Sequence, residues 1–499
     1  MAVDSQKLFD TESLNKNLKT KSVKAGAITI TAHFGKFILR MGSTIVLARL
    51  LTPQDYGLIG MVTVVTNFIL LFRDLGLSTA TIQKAEINRE QVSTLFWLNV
   101  ALGAIVSLLI AGLAPIISRF YQEPRLTGIT IVLALSFLIA SLGTQHQALL
   151  KRQMYFGKLA NISIVSMLVS VLVAICMAKL GAGYWSLVGM QLAETTTSTV
   201  GMWIFCRWIP GLPGKYSEVS SMVNYGSNLT GFRCVNYFSR NLDNILIGRF
   251  WGSQQLGLYA KAYQLLLLPI SQINSPINSI ALPALSRLQS EPDRYRRFYC
   301  KAILAITFLG MPLVMFMFAT ADKMVLLLLG EQWLGIIPLF RFLMPAAFIG
   351  TFNVAVGWVF QSLGRTDRQF RLGIVVSTIN VIIFSVSVKW GVIAVAAAYG
   401  ISQPILMIFA VIYCFQGTPL KLTDLADALS KPMFASIGSA LIVIGIEQFG
   451  LIKLNLSLNL LLDGFIYLLS YIGIWLLLPN GKSTLVELFS LFKELKKKK

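Results

Sequence analysis

Apolar runs long enough to cross about 30 Å of hydrocarbon at 1.5 Å per residue follow one another along almost the whole of this chain. In lipid every peptide N–H and C=O has to be satisfied by the chain itself, so such runs fold as helices or close into a barrel. Runs this long and continuously apolar predict helices. Fourteen spans are expected, at about 25–48, 57–76, 92–117, 126–149, 159–179, 183–206, 223–248, 256–280, 302–321, 336–362, 372–388, 391–415, 432–450 and 458–478. "ADKMVLLLLGEQWLG" (321–335) reads as a separate short helix at the periplasmic surface. At 55% hydrophobic and 13% charged residues, the chain is too apolar for an ordinary soluble domain. It is read as an all-α polytopic membrane protein.

The formal net charge of +21 does not point to nucleic acid, because Lys and Arg punctuate apolar runs instead of gathering on one solvated face. Most of them fall in alternate connections, including "KRQMYFGK", "RYRRFYCK", "GRTDRQFR" and the final "KKKK". Cytoplasmic loops retain positive charge, so the pattern predicts both termini in the cytoplasm, and the basic loops also suit anionic lipid. The first 24 residues are polar with no apolar core, which predicts a cytoplasmic tail instead of a signal peptide. The five cysteines are scattered without a CxxC pair and are expected to be small buried hydrophobes.

The opening span recurs. Shifted by 200 residues, "FILRMGSTIVLARLLTPQDYGL" (37–58) overlies "YFSRNLDNILIGRFWGSQQLGL" (237–258). The pairs Arg40/Arg240, Ile45/Ile245, Arg49/Arg249, Gln54/Gln254, Gly57/Gly257 and Leu58/Leu258 are identical. A weaker echo relates "QALLKRQMYF" (147–156) to "QSLGRTDRQF" (361–370), the turns after the fourth and tenth spans. Two parallel six-helix repeats follow, facing each other about a pseudo-two-fold along the membrane normal. The expected organisation is an N-terminal tail (1–24), an N-lobe of spans 1 to 6 (25–206), a linker (207–222), a C-lobe of spans 7 to 12 (223–415), a second linker (416–431), spans 13 and 14 (432–478) and a basic cytoplasmic tail (479–499).

Within span 1, His33, Lys36, Arg40 and Thr44 fall within about 80° on a helical wheel. Span 7 repeats the stripe with Arg233, Asn236, Arg240 and Asn244. Lys36 lies roughly 16 Å into its span, too deep to snorkel easily. A bare cation there costs several kcal/mol, so these residues are expected to face a polar cavity or an anion. Asp243, Glu194 and Glu447 are too few acids to neutralise His33, Lys36, Arg40, Arg233, Arg240 and Lys261, which favours an anion-accepting lumen over internal ion pairs. Asn67, Asn236, Asn244, Gln264 and Asn274 are candidates for holding sugar hydroxyls, although such residues also join helices to each other. Arg49 and Arg249 stand at the outer helix ends, as rim residues or as snorkelling anchors. Prolines in "LLLPISQINSPINSIALPALSRL" suggest a bent or hinged span 8.

Enzyme signatures are missing. "NGKST" (480–484) lacks the first glycine and preceding strand of a phosphate-binding loop, and no constellation for hydrolysis or metal chemistry is present. No connection exceeds about 20 residues, which leaves no room for a soluble catalytic domain.

"ARLLTPQDYGLIGMV", "FRDLGLSTATIQ" and "PALSRLQSEPDRYRRFY" resemble the polysaccharide transporter family. These are the O-antigen and colanic-acid type, Wzx-like, lipid-linked oligosaccharide flippases of the multidrug, oligosaccharidyl-lipid and polysaccharide (MOP) exporter superfamily. The resemblance covers nearly the whole chain. It implies translocation of an undecaprenyl-diphosphate-linked repeat unit across the bacterial cytoplasmic (inner) membrane by alternating access, with the diphosphate held by the arginine stripes. It also implies that spans 13 and 14 guide the lipid tail, and that a polysaccharide polymerase and chain-length machinery are partners. No cofactor is expected beyond the membrane potential and a coupled Na⁺ or H⁺, for which Asp243 and Glu194 are the candidate sites. The rival readings are an ion-coupled multidrug exporter, which would want an acidic or aromatic pocket for cationic drugs, and a membrane-embedded glycan polymerase, which would want a long catalytic loop.

Overall fold

The computed structural model describes the backbone of residues 18–70, 78, 81–82, 87–214, 230–448 and 455–486. Each of the fourteen predicted spans is occupied by helix within those limits. The helices are α1 (Leu18–Leu50), α2 (Pro53–Leu70), α3 (Arg89–Tyr121), α4 (Arg125–Arg152), α5 (Phe156–Lys179), α6 (Trp185–Cys206), α7 (Thr230–Arg287) and α8 (Pro292–Ala319). They continue with α9 (Ala321–Leu328), α10 (Ile336–Gly350), α11 (Asn353–Ser362), α12 (Thr366–Ser387), α13 (Val392–Phe415), α14 (Leu422–Gln448) and α15 (Leu456–Leu477). Among the described residues, ten helices are long and apolar enough to cross a membrane. The short helix expected near 321–335 is α9, followed by a single 3₁₀ turn at Glu331–Trp333. Span 10 is two helices, α10 and α11, interrupted at Thr351 and Phe352.

Connections are tight because little backbone is left unpaired at the membrane surface. Between α1 and α2, Thr52 takes the position before a helix-starting Pro53; its N–H and hydroxyl donate to Asp55 Oδ2 at 2.9 and 2.8 Å. Two hundred residues later the same turn is made by Gly252, at φ 77° and ψ −179°, inside α7. No β-carbon tolerates that conformation cheaply, so the break between spans 7 and 8 falls on glycine. Pro269, Pro276 and Pro283, where a bend was expected, sit in α7 with helical dihedrals.

The second echo in the sequence is also structural, with its register moved by one helical turn. Gln153, Met154 and Tyr155 donate to Leu149, Lys151 and Leu150 carbonyls at 3.0, 2.9 and 2.9 Å. Leu363, Gly364 and Arg365 donate to the carbonyls of Val359, Gln361 and Phe360 at 3.2, 3.3 and 2.8 Å, a constant offset of 210. Both are helix ends with one left-handed residue, Met154 at φ 55° and Gly364 at φ 68°. A four-residue slip keeps the apolar face of a helix, which is why the letters align in the wrong register.

The chain divides into two compact units, Met1–Gly257 and Leu258–Lys499. In the first, Leu47 of α1 and Leu51 just after it pack on Ala174 and Ala178 of α5. Side-chain donors tie helices together through spare carbonyl lone pairs: Ser107 Oγ to Ala134 O at 2.8 Å, Thr199 Oγ1 to Ile139 O at 3.1 Å and Trp203 Nε1 to Leu142 O at 2.9 Å. His146 is fully buried, stacked on Trp203 at 4.4 Å with Nε2 3.0 Å from Trp208 O. Cys206 and Cys414 are buried and Cys300 half-buried, but Cys176, expected inside, is exposed. Cys234 lies outside the described side chains.

In the second unit α14 and α15 are joined to the helices before them. Tyr471 OH donates to Phe308 O at 3.0 Å and Arg296 forks onto Asp424. Lys323 at the start of α9 places Nζ 2.7 Å from Glu447 Oε1 and 2.6 Å from Asp463 Oδ2. Asp463 is buried on α15, with 8% of its side chain exposed, so its charge depends on this partner. Lys323→Met is expected to cost about 3 kcal/mol by leaving that carboxylate unpaired, and Lys323→Met/Asp463→Leu to lose less than the single variant. Thermal unfolding in detergent measures both; a double variant as unstable as the sum of two singles would show that the pair does not hold α15.

Candidate functional site: a polar stripe repeated on two helices

On α1 the stripe runs from Lys36 through Arg40 to Ser43 and Thr44. Ser43 and Thr44 are buried, and Ser43 Oγ donates to Arg40 O at 2.9 Å, so the Ser43 hydroxyl is consumed within its own helix. Lys36 is half-buried and within electrostatic reach of Glu194 on α6. Arg40 is exposed. Its guanidinium, ten residues before the end of α1, lies roughly 15 Å from the α1–α2 turn. His33 falls outside the described side chains.

On the limb of α7 before Gly252, Arg240 is again exposed. Asp243 is buried and accepts from Asn244 N at 2.8 Å, while Asn244 Oδ1 is buried without a hydrogen-bond partner among the described residues. Arg233 and Asn236 fall outside the described side chains. This limb is seated on α2: Tyr237 OH donates to Val64 O at 2.7 Å, and its ring lies 5.8 Å from Phe68. Asn67, next to Phe68, is exposed. The repeat-related arginines are thus alike in exposure, depth and helix, and both belong to the first compact unit.

The outer pair is less alike. Arg49 is exposed, whereas Arg249 is half-buried with its guanidinium 5.9 Å from the rings of both Phe120 and Phe250. Stacking on aromatic faces gives Arg249 an anchoring role. Lys261 does not share the exposure of the stripe: it is 3% exposed, with Nζ 5.7 Å from the Trp333 ring in the second unit. Gln264 and Asn274, on the same limb of α7, are half-buried, and Asn274 Oδ1 is buried without a hydrogen-bond partner among the described residues.

What this arrangement offers is recognition. An exposed guanidinium at membrane depth faces water or an anion in preference to lipid. Its planar fork matches phosphate oxygens two at a time. Among the described residues no three His, Cys, Asp or Glu side chains converge as a metal site would require.

Sequence reasoning missed two features of this region. Tyr237 was passed over because an aromatic in an apolar run is unremarkable by pattern, yet its hydroxyl ties α7 to α2. The close approach of Gly57 and Gly257 was also missed, although both glycines are among the six positions that the repeat keeps identical.

Comparison with known proteins places the chain. The "Polysaccharide biosynthesis protein" family matches residues 46–338, more than half of the chain. The teichuronic acid biosynthesis protein TuaB of Bacillus subtilis (strain 168) is 26% identical over 479 residues, 94% of this chain and 98% of that protein. The lipopolysaccharide biosynthesis protein WzxC of Escherichia coli (strain K12) is 25% identical over 367 residues, 72% of this chain and 73% of that one. Among solved structures, an inward closed conformation of the lipid II flippase MurJ superposes with a TM-score of 0.71 over 90% of this chain and 97% of that one, at 13% identity. That likeness fixes the fold, an all-helical architecture. The chain belongs to the polysaccharide biosynthesis protein family.

Proposed function

We propose that the protein flips lipid-linked oligosaccharide repeat units across the bacterial cytoplasmic membrane for surface polysaccharide synthesis, by alternating access around a cationic cavity. The observation that carries this reading is the pair Arg40 and Arg240, exposed at membrane depth on repeat-related helices in a chain of this family. A diphosphate headgroup supplies the oxygens that such guanidiniums pair with, and the sugars follow it among Asn67 and Asn244. An acidic or aromatic pocket, which a cationic drug would want, is not what these helices present. Both termini lie in the cytoplasm, so the empty cationic cavity is drawn back by an inside-negative potential, which provides about 2.3 kcal/mol per charge per 100 mV. Asp243 and Glu194 are the groups through which Na⁺ or H⁺ would couple to this movement.

In a strain lacking its own flippase, Arg40→Ala and Arg240→Ala are each expected to lower surface glycan about tenfold or more while lipid-linked precursor accumulates. That corresponds to loss of a charged hydrogen-bonded contact of about 1.5–3 kcal/mol. Lysine at either position should retain part of the activity, because charge survives and the fork does not. Normal export by both alanine variants at wild-type protein levels would sink the proposal. Water access is checked separately: in a cysteine-depleted chain, Arg40→Cys and Arg240→Cys should react with a hydrophilic maleimide in membranes, and Lys261→Cys should be protected.

A further inference from the structure

The turns that join spans 1 and 2, and spans 7 and 8, meet backbone to backbone. A β-carbon on Gly57 would lie 1.7 Å from Ser253 O, and one on Gly257 would lie 1.8 Å from Pro53 O. Residues 53 and 253, like 57 and 257, differ by the repeat offset of 200. Position 57 of one copy touches position 53 of the other, and the reverse holds as well. A reciprocal contact of this kind is the signature of a two-fold relation, with the axis passing between the two glycines. All four residues lie in the first compact unit.

In a transporter built from parallel repeats the cargo travels along that axis, between the halves. A backbone contact astride it leaves no room for a headgroup. The surroundings of the pair are dry: Leu58, Met61 and Leu256 are at most 1% exposed. Tyr121, 5% exposed, would lie 2.8 Å from a β-carbon on Gly248. Carbon-to-carbonyl contacts are weak individually and need no desolvation of charge to part. They suit a seal that opens and closes better than an ion pair would.

We infer that Gly57 and Gly257 form a symmetric gate that closes the transport path at this end and separates for each cargo molecule. The inference rests on the flippase reading. The arginine stripes offer charge, whereas the gate is made of two absent side chains, and any side chain there would wedge the turns apart.

The test has two arms. In the flippase-deficient strain, Gly57→Ala and Gly257→Ala are each expected to reduce surface glycan on the order of tenfold at wild-type protein level, as overpacking of a rigid backbone contact would. Gly112→Ala, whose β-carbon meets nothing within 4 Å, should export normally. Normal export by the Gly57 and Gly257 variants would overturn the gate. The second arm keeps both glycines and so survives misfolding of those variants. Spin labels at the exposed positions Gln54→Cys and Gln254→Cys, in a chain with its native cysteines replaced, report the separation of the turns in vesicles. The expected result is a short distance at rest and a second, longer population with undecaprenyl diphosphate or an imposed inside-negative potential. A single distance unchanged by either would overturn the gate. Failure of the wild-type chain to restore glycan would instead strike the flippase reading, and the distance measurement would still decide whether the contact opens.

Discussion

No water reaches the middle of a bilayer to satisfy a peptide group, and the rest of this structure depends on that absence. Helices satisfy their own backbones, so the chain is helix after helix with turns as short as the two residues Leu51 and Thr52 or the single Gly252. Apolar side chains gain nothing by leaving lipid for one another, which leaves cohesion to close packing and to hydrogen bonds. Several polar side chains accordingly donate to carbonyls of neighbouring helices, as Ser107, Thr199, Trp203 and Tyr471 do.

The same absence gives intramembrane charges their meaning. Two outcomes are open to a cation in such a chain, pairing or exposure, and this protein shows both. Lys323 is neutralised by Glu447 and Asp463 and fastens α14 and α15 to α9. Arg40 and Arg240 remain exposed, where water or an anion is a better neighbour than lipid. Duplication supplies the pairing: one basic stripe on one helix, copied 200 residues later, puts an exposed arginine on each of two helices. It also brings together the glycines that the copies share, which meet backbone to backbone roughly 15 Å along the helices from those arginines.

Much of this was legible in the residues. Apolar run length fixed the helices, including the small α9, because lipid leaves so little choice of secondary structure. The repeat was legible because identical residues persist where geometry is unforgiving, at Gly57/Gly257 and in the arginine stripes. The second echo was visible with its register one turn off, since a helix tolerates a four-residue slip without turning its apolar face. Lys261 shows the limit of the charge argument. It reads like Arg40 in sequence but is buried beside Trp333, and only the neighbouring elements decide which cation is covered.

The sequence by itself determined that the chain is a bundle of membrane-spanning helices, built by duplication, with an excess of positive charge at depth. These are properties of run length, spacing and composition, and each is local to a segment or to a comparison of two segments. Only the tertiary structure decided which charges are consumed and which are left exposed, and that the two copies meet through glycine backbones. Those outcomes depend on which helix lies against which, where a missing β-carbon counts for as much as a present side chain.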